Sequence, residues 1–368
     1  MNIQEISYEN YRNLKDNTII PCEGINIICG DNAQGKTNFL ESIWIFTGGR
    51  SFKGSKDSDL ISFGEKKASL FMKASAGERL QTFSIDIVSG KRTVKINKVA
   101  QKTPSSLVGK ICAVCFSPEH LALIKEGPGL RRKFLDTAIC QTQPMYAEYL
   151  LKYNHILSQR NVLLRTLKKS NNLIDTLDIW EEKLAEYGAE ITCSRISYAE
   201  KLKGLASEFY MGLSSKKEKL SLQYKSSISA EDVKDKFKIK EELKKKLEES
   251  RTEDIALGFT TKGPHRDDLD LKIDGKSARI FSSQGQQRSI VLALKLAEAE
   301  IVKEIRGEMP IILLDDVLSE LDENRQNYLL NSISEKQVFI TCCEPDLSKR
   351  LVKGYIFEVL GGNVQIKS

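Results

Sequence analysis

The chain has 368 residues, room for two or three domains at roughly 150 residues each. Hydrophobic residues make up 40% of it and charged residues 29%, enough for a sizeable core. The formal net charge of +6 permits a nucleic-acid partner without requiring one. No apolar run approaches the roughly 20 residues of a membrane-spanning helix. The N-terminus, Met1-Asn2-Ile3-Gln4-Glu5, shows no basic segment followed by an apolar core. Several of the eight cysteines (Cys29, Cys112, Cys115, Cys342, Cys343) fall in apolar, strand-like stretches. A reduced, cytoplasmic protein without a membrane partner is the expectation. Cys112-Ala113-Val114-Cys115 lacks a second matching pair, so it reads as part of a buried strand rather than a zinc site.

Residues 1–118 alternate short strands and turns. Gly24 to Cys29 is an apolar run leading straight into a glycine-rich loop, and Asn38 to Phe46 reads as the helix beyond it. Ser69–Lys73, Gln81–Val88 and Thr93–Asn97 alternate or are rich in β-branched residues, with Ser89-Gly90 as a turn. They predict an antiparallel sheet beside the core. Residues 119–250 change character. Tyr146–Lys169 and Leu177–Leu213 have helical spacing and no proline, and Glu231–Arg251 is dense in Lys and Glu. A helical lobe is expected, with a coiled-coil arm as the alternative, although no strict heptad persists. Residues 251–368 return to strands and helices: a helix over Gln284–Ile305 stopped by Met309-Pro310, a strand Ile311–Leu314, a helix near Glu323–Ser332, and a strand Gln337–Thr341.

The chemistry sits near the two ends. Gly30-Asp31-Asn32-Ala33-Gln34-Gly35-Lys36-Thr37, followed by Asn38, is a full G-x-x-x-x-G-K-[ST] loop between a strand and a helix. Its backbone N–H groups and the helix N-terminus suit phosphate, Lys36 supplies a point charge, and the Thr37 hydroxyl suits Mg²⁺. Asp315 ends an apolar strand, where a carboxylate can complete the Mg²⁺ shell opposite Thr37. Asp316 either polarises an attacking water or caps the following turn. Ser283-Gln284-Gly285-Gln286 opens the long helix; Ser283 is a good N-cap, and the same serine–glycine turn can hold an anion. Two halves of a nucleotide site, with a lobe inserted between them, describe an ATP-driven machine.

These motifs, with Tyr8-Glu9-Asn10-Tyr11-Arg12-Asn13, Gly49-Arg50-Ser51-Phe52, Phe116-Ser117-Pro118-Glu119, Arg131–Asp136 and Gly263-Pro264-His265-Arg266-Asp267-Asp268, carry a family resemblance over residues 3 to about 345. The chain resembles the RecF-like recombination-repair ATPases of the SMC-like ABC class. The resemblance implies an α/β fold: an ABC-type ATPase head, with a P-loop core of mixed sheet plus an antiparallel β subdomain, and an inserted helical lobe. It implies a homodimer formed on ATP. In it, each nucleotide lies between the loop Gly30–Asn38 of one subunit and Ser283, Gly285 and Gln286 of the other, with Ser319–Asp322 touching the partner's site. Lys36 and Thr37 would bind phosphate and Mg²⁺, Asp315 would be the metal carboxylate, and Asp316 would stand where a catalytic acid does. The implied partners are duplex and gapped DNA and RecR, with RecO and RecA acting indirectly.

Departures from the general cassette pattern accompany this. Asp316 stands where transporter-type ATPases carry Glu, which suggests slow turnover. Thr341 stands where a switch histidine is usual, and Ser117 or Glu119 lies near the Q-loop position. Basic clusters at Arg50–Lys56, Lys91–Lys102, Arg131–Lys133, Lys168–Lys169 and Lys244–Lys246 are candidates for backbone contacts to duplex DNA. Arg266 is open to two readings, a structural pair with Asp267 or Asp268 or a contact on the nucleotide side. The alternatives to a DNA-repair ATPase are the ATPase subunit of a transporter and a nucleotide-gated adaptor without catalysis.

Overall fold

A computed structural model describes residues 1–76, 79–169, 173–215, 217–228, 235–334, 336–343 and 354–367. The start of the Lys/Glu-rich stretch, 231–234, therefore lies outside the described residues. Among the described residues the strands form three sheets, and the chain divides into two compact units. The first unit takes residues 1–121, 208–217 and 288–368; the second takes 122–207 and 218–287.

The core sheet of the first unit has the order β15 (Asn363–Ile366), β14 (Gly354–Leu360), β3 (Ile25–Cys29), β13 (Val338–Cys342), β12 (Ile311–Leu314), β8 (Ala113–Phe116). All neighbours are parallel except the β14–β15 pair. β12 and β8 are buried along their whole length, and β13 likewise. Continuous apolar runs are what a parallel strand covered on both faces demands. The Cys112–Cys115 stretch is accordingly strand, and burial pushes the Cys112 thiol up to about 11 and Cys115 well above its ordinary value. The second sheet is antiparallel, in the order β2 (Asn17–Ile19), β1 (Asn2–Glu9), β4 (Lys67–Ala76), β5 (Arg79–Val88), β6 (Lys91–Ile96), β7 (Val99–Ala100). Its alternating inward residues, among them Ile6, Tyr8, Leu70, Met72, Phe83 and Ile85, share one hydrophobic core with helix α1 (Lys36–Ile45) and with Phe339 of the parallel sheet. This is the mixed-sheet core with an antiparallel β subdomain that the sequence implies.

From Arg288 onward α9 (Gln284–Arg306) belongs to the same unit, where it buries Ile290, Val291, Leu294, Leu296 and Ala297. After β12, Asp322 caps α10 (Glu323–Ser332) by accepting the Arg325 N–H at 3.1 Å.

The second unit is built on α2 (Ala122–Lys125), α3 (Pro128–Thr142), α4 (Pro144–Leu167), α5 (Leu177–Leu213), α6 (Lys236–Glu249), α7 (Arg251–Leu257) and the short α8 (Ala278–Phe281). The last residues of α5 belong to the first unit. A small antiparallel sheet, β11 (Lys276–Ser277), β10 (Asp268–Ile273), β9 (Leu220–Lys225), packs with α3. This unit runs on to Gln287, past the boundary expected at 250, because β9 and β10 pair across that boundary in six-residue register. Its interior holds charge: Arg160, Glu181 and Asp254 are fully buried. Arg160 donates to Asp254 at 2.7 Å, to Glu181 at 2.8 Å and to the Thr260 hydroxyl at 2.8 Å. A guanidinium with so many partners is held by geometry, and removing one partner would strand the others.

Candidate nucleotide site

β3 delivers the chain to Gly30, and α1 begins at Lys36, so the glycine-rich loop is a strand-to-helix turn. Gly35 has φ 117°, and a Cβ there would lie 2.7 Å from a Leu14 methyl and 3.0 Å from Asn13 Oδ1. No side chain fits that position, so glycine is required by both backbone and space. The loop is braced from neighbouring segments. Asn13 donates to the Ala33 carbonyl at 3.1 Å, Asn38 donates to Asn13 at 2.7 Å, and the Gln34 side chain accepts the Gly361 N–H at 2.6 Å. Lys36 is buried, and its ammonium donates to the carbonyls of Gly30 at 2.8 Å and Asp31 at 3.1 Å.

Beneath the loop, the Thr37 hydroxyl donates to Asp315 Oδ1 at 2.8 Å. Asp315 directly follows β12, which lies beside β13, so Thr341 joins them. Its hydroxyl accepts the Asp316 N–H at 2.8 Å and lies 3.1 Å from Asp315 Oδ1 and 3.3 Å from Asp316 Oδ1. Burial raises the Asp315 carboxyl to about 6, the Thr37 hydrogen bond opposing and the Asp316 charge adding to the rise. A buried carboxylate whose charge is this costly is one a cation would stabilise. Asp316 has φ 51°, an uncommon backbone for a non-glycine residue and of the kind that concentrates at functional sites.

Glu41 was not singled out by the sequence, yet it anchors α1. It is fully buried, receives both Arg12 Nε at 2.9 Å and an Arg12 terminal nitrogen at 3.1 Å, and also bonds the Tyr11 and Ser51 hydroxyls. The Tyr11–Arg12 and Arg50–Ser51 stretches thus position the helix that carries Lys36 and Thr37. Their clustering in the sequence was the available signal; their shared target, four residues past Thr37, was not. Ser117 is buried at the end of β8 and bonds the Glu119 carboxylate, while its N–H donates to His120 Nδ1 at 3.1 Å.

Ser283, Gly285 and Gln286 lie in the second unit. Ser283 Oγ accepts the Gln286 N–H at 3.2 Å, and Gln286 Oε1 accepts the Ser283 N–H at 2.7 Å, a reciprocal capping box opening α9. Ser283 is exposed, and Gln286 also donates to Glu218 at 2.7 Å. Ser319 is exposed too, and its hydroxyl donates to the Asp316 carbonyl at 3.0 Å.

Other expectations change. Arg266 pairs with neither neighbouring aspartate: it donates to the Thr260 carbonyl at 2.9 Å and lies 4.9 Å over the Phe259 ring. Asp268 is already taken by a two-point contact from Arg131, at 2.7 and 2.9 Å, and Asp267 by the Tyr224 hydroxyl at 2.7 Å. Of the basic clusters, Arg131 and Arg132 are therefore spent on the fold, Arg132 on the Asp267 carbonyl at 2.7 Å. Lys244 and Lys246 pair with Glu182 and Glu242. Lys91, Lys95, Lys98 and Lys102, along β6 and β7, remain exposed. No group of three or more metal-ligating His, Cys, Asp or Glu side chains occurs among the described residues, and none of their helices is long and apolar enough to cross a membrane.

The parallel sheet, the loop and the carboxylate strand together define an SMC-like ABC ATPase head. A family model described as RecF/RecN/SMC N terminal domain matches residues 2–358, and the chain belongs to that family. Within it, the chain is 42% identical over 369 residues to the DNA replication and repair protein RecF of Ruminiclostridium cellulolyticum, covering 99% of each. It is 44% identical over 344 residues to the protein of the same name from Caldanaerobacter subterraneus subsp. tengcongensis, covering 93% of this chain and 94% of that one. A solved structure of the recombination mediator protein RecF-ATP in the RecFOR pathway superimposes with a TM-score of 0.92 at 41% identity, covering 100% of this chain and 97% of the other. The chain is therefore a member of the RecF family. An Smc head bound to the C-winged helix domain of ScpA, at 15% identity and a TM-score of 0.58, shares the fold.

Proposed function

We propose that this protein is an ATP-dependent DNA-binding protein of recombinational repair, and that two copies close on ATP. The observation that carries the reading is the 2.8 Å bond between Thr37 and Asp315, which joins the phosphate loop to the carboxylate strand across 278 residues of chain. In this reading Gly30 to Asn38 wrap the phosphates, and Lys36 turns its ammonium from the Gly30 and Asp31 carbonyls to the β/γ-phosphates. The pair Thr37 and Asp315 fits Mg²⁺: a hydroxyl and a buried carboxylate with a raised pKa offer two hard oxygens side by side. When held by Thr37 and Asp315, that ion would supply positive charge against the negative charge developing on the phosphates. Asp316, steadied by Thr341, orients the attacking water. A carboxylate one methylene shorter than Glu supports slow hydrolysis, stimulated by DNA, which resets the dimer.

The partner subunit's phosphate meets the helix tip at exposed Ser283 and half-buried Gly285 and Gln286, where a helix N-terminus favours anions. The exposed lysines Lys91 and Lys95 of β6, with Lys98 and Lys102 on either side of β7, support duplex and gapped DNA as the substrate, held through its backbone. With RecR and RecO, such a dimer would promote RecA loading at single-stranded gaps.

Sedimentation of the purified chain alone, with ATP, and with ATP plus a gapped duplex tests this. A dimer that appears only with ATP and co-sediments with DNA in a salt-sensitive way is expected. A monomer at saturating ATP, or DNA binding indifferent to nucleotide, overturns the reading. Turnover of Asp316→Asn should fall in the presence of DNA; an unchanged rate would favour the adaptor reading instead.

A further inference from the structure

The ends of β3 and β13 place two thiols side by side under the phosphate loop. Cys29 and Cys342 are register partners on adjacent parallel strands, and their sulfurs are 3.2 Å apart. Both are free and nearly buried, 8% and 6% exposed, in a small apolar cluster with Ile27, Ile25 and Ile356. Strands in a sheet lie about 4.8 Å apart, within the ~4.4–6.8 Å Cα separation that a disulfide bridges. The Cys342 S–H hydrogen bond draws the Cys29 thiol below its ordinary pKa, the direction that makes a sulfur nucleophilic.

We propose that Cys29 and Cys342 form an oxidisable dithiol whose closure to a disulfide by a hydroperoxide distorts the phosphate loop. The chemistry balances in two steps. The Cys29 thiol attacks one peroxide oxygen, giving Cys29 sulfenic acid and water (the alcohol, for an organic hydroperoxide). The Cys342 thiol then attacks that sulfur, forming the S–S bond and releasing a second molecule of water. A hydroperoxide is small enough to reach a nearly buried sulfur, where a bulky disulfide oxidant is not.

The loop feels this closure because Cys29 is bonded directly to Gly30. Closure draws the sulfurs from 3.2 Å to about 2.05 Å. Gly30 has little room to follow, since even a Cβ there would lie 2.5 Å from the Val359 carbonyl oxygen. Its own carbonyl is what holds Lys36, at 2.8 Å. On the other side Cys343, next along from Cys342, has its sulfur 3.2 Å from the Lys36 ammonium and 3.1 Å from Asn32 Oδ1. Both strand ends thus bear on the lysine. The effect on nucleotide rests on the reading of the loop proposed above; formation of the bond does not.

The test is to treat the purified full chain with hydrogen peroxide, digest it without reductant, and measure ATP affinity before treatment, after it, and after dithiothreitol. A Cys29–Cys342 cross-linked peptide is expected, absent from both Cys29→Ser and Cys342→Ser. ATP affinity should fall roughly ten-fold, the scale of losing one charge-assisted contact, and recover with dithiothreitol. Peroxide that oxidises other thiols while Cys29 and Cys342 stay unlinked overturns the dithiol. A cross-link with unchanged ATP affinity overturns the coupling to the loop. Reduced protein that binds no ATP would instead sink the proposed function, with the cross-link still reading the dithiol.

Discussion

The two units spend their buried charge differently. In the first, besides the buried Lys295–Glu298 pair on α9, buried charges gather at the phosphate loop: Lys36 and Asp315, with Thr341, at the site itself, and Glu41 on the helix that carries it. In the second, Arg160, Glu181, Asp254 and Arg195 are buried within the helical scaffold, while the Ser283 turn stands exposed at the start of α9. One unit therefore holds a site whose side chains are already bonded to each other. The other holds a rigid support and presents a polar tip outward. A preformed cradle needs little rearrangement to take phosphate, whereas an exposed tip with an anion-attracting helix end suits something arriving from outside.

Substitutions can break this contrast, beginning with the largest effect. Arg160→Ala should cost about 3–5 kcal/mol of stability by leaving Glu181 and Asp254 buried and unpaired. Thermal and urea unfolding measure it, and nucleotide affinity well below the transition should change little. A matching loss of affinity would mean that the scaffold and the cradle are not separable. Lys36→Met should do the reverse. It removes ~1.5–3 kcal/mol of charge-assisted binding, roughly ten- to hundred-fold in nucleotide Kd by calorimetry, with a smaller shift in unfolding than Arg160→Ala.

A third test uses pH. His265 lies between the Tyr153 hydroxyl, 2.7 Å from Nδ1, and the Thr260 carbonyl, 3.0 Å from Nε2; burial pushes it down from 6.5 to about 4. A base whose folded pKa is depressed leaves the unfolded chain binding more protons between these values. Its contribution is thus complete above pH 6.5 and is lost as pH falls toward 4. Unfolding measured over that window should show a loss on the order of 3 kcal/mol, flattened in His265→Gln. An identical slope in the variant would place the titration elsewhere. The smallest change in free energy is expected from Ser283→Arg. Nucleotide affinity of the monomer should stay within error, while ATP-driven association by light scattering weakens at least ten-fold, about 1.4 kcal/mol. Lost nucleotide affinity in the monomer would put Ser283 in its own subunit's site and erase the contrast.

Much of the first unit could be read from the sequence because its signals are local. Ile311–Leu314 is a fully apolar run ended by charge, and Glu323–Ser332 follows a capping Asp322; both elements fall where expected. The long α9 keeps its apolar period for six turns. What escaped was carried by distance along the chain. Thr341 shows in sequence as a missing histidine, and only the β12–β13 pairing reveals its hydroxyl between two carboxylates. Cys343 reaches Lys36 across 307 residues. β10 is a different case: Asp268–Ile273 alternates apolar and charged residues, a period-two signal that was present, overshadowed by the Gly-Pro turn before it. The partnerships of Arg131 and Arg266 were illegible because runs of adjacent charges do not say which of them faces inward.

The placement of β3 between β13 and β14 has a consequence for how the molecule is made. A ribosome releases the glycine loop early, but both flanking strands, and Asp315 and Thr341 with them, leave the exit tunnel only after the whole second unit. A nascent or prematurely terminated polypeptide thus carries a lysine and a threonine with nothing to complete them. In the reading proposed above, a copy halted before those strands are made has no finished cradle to be charged with fuel.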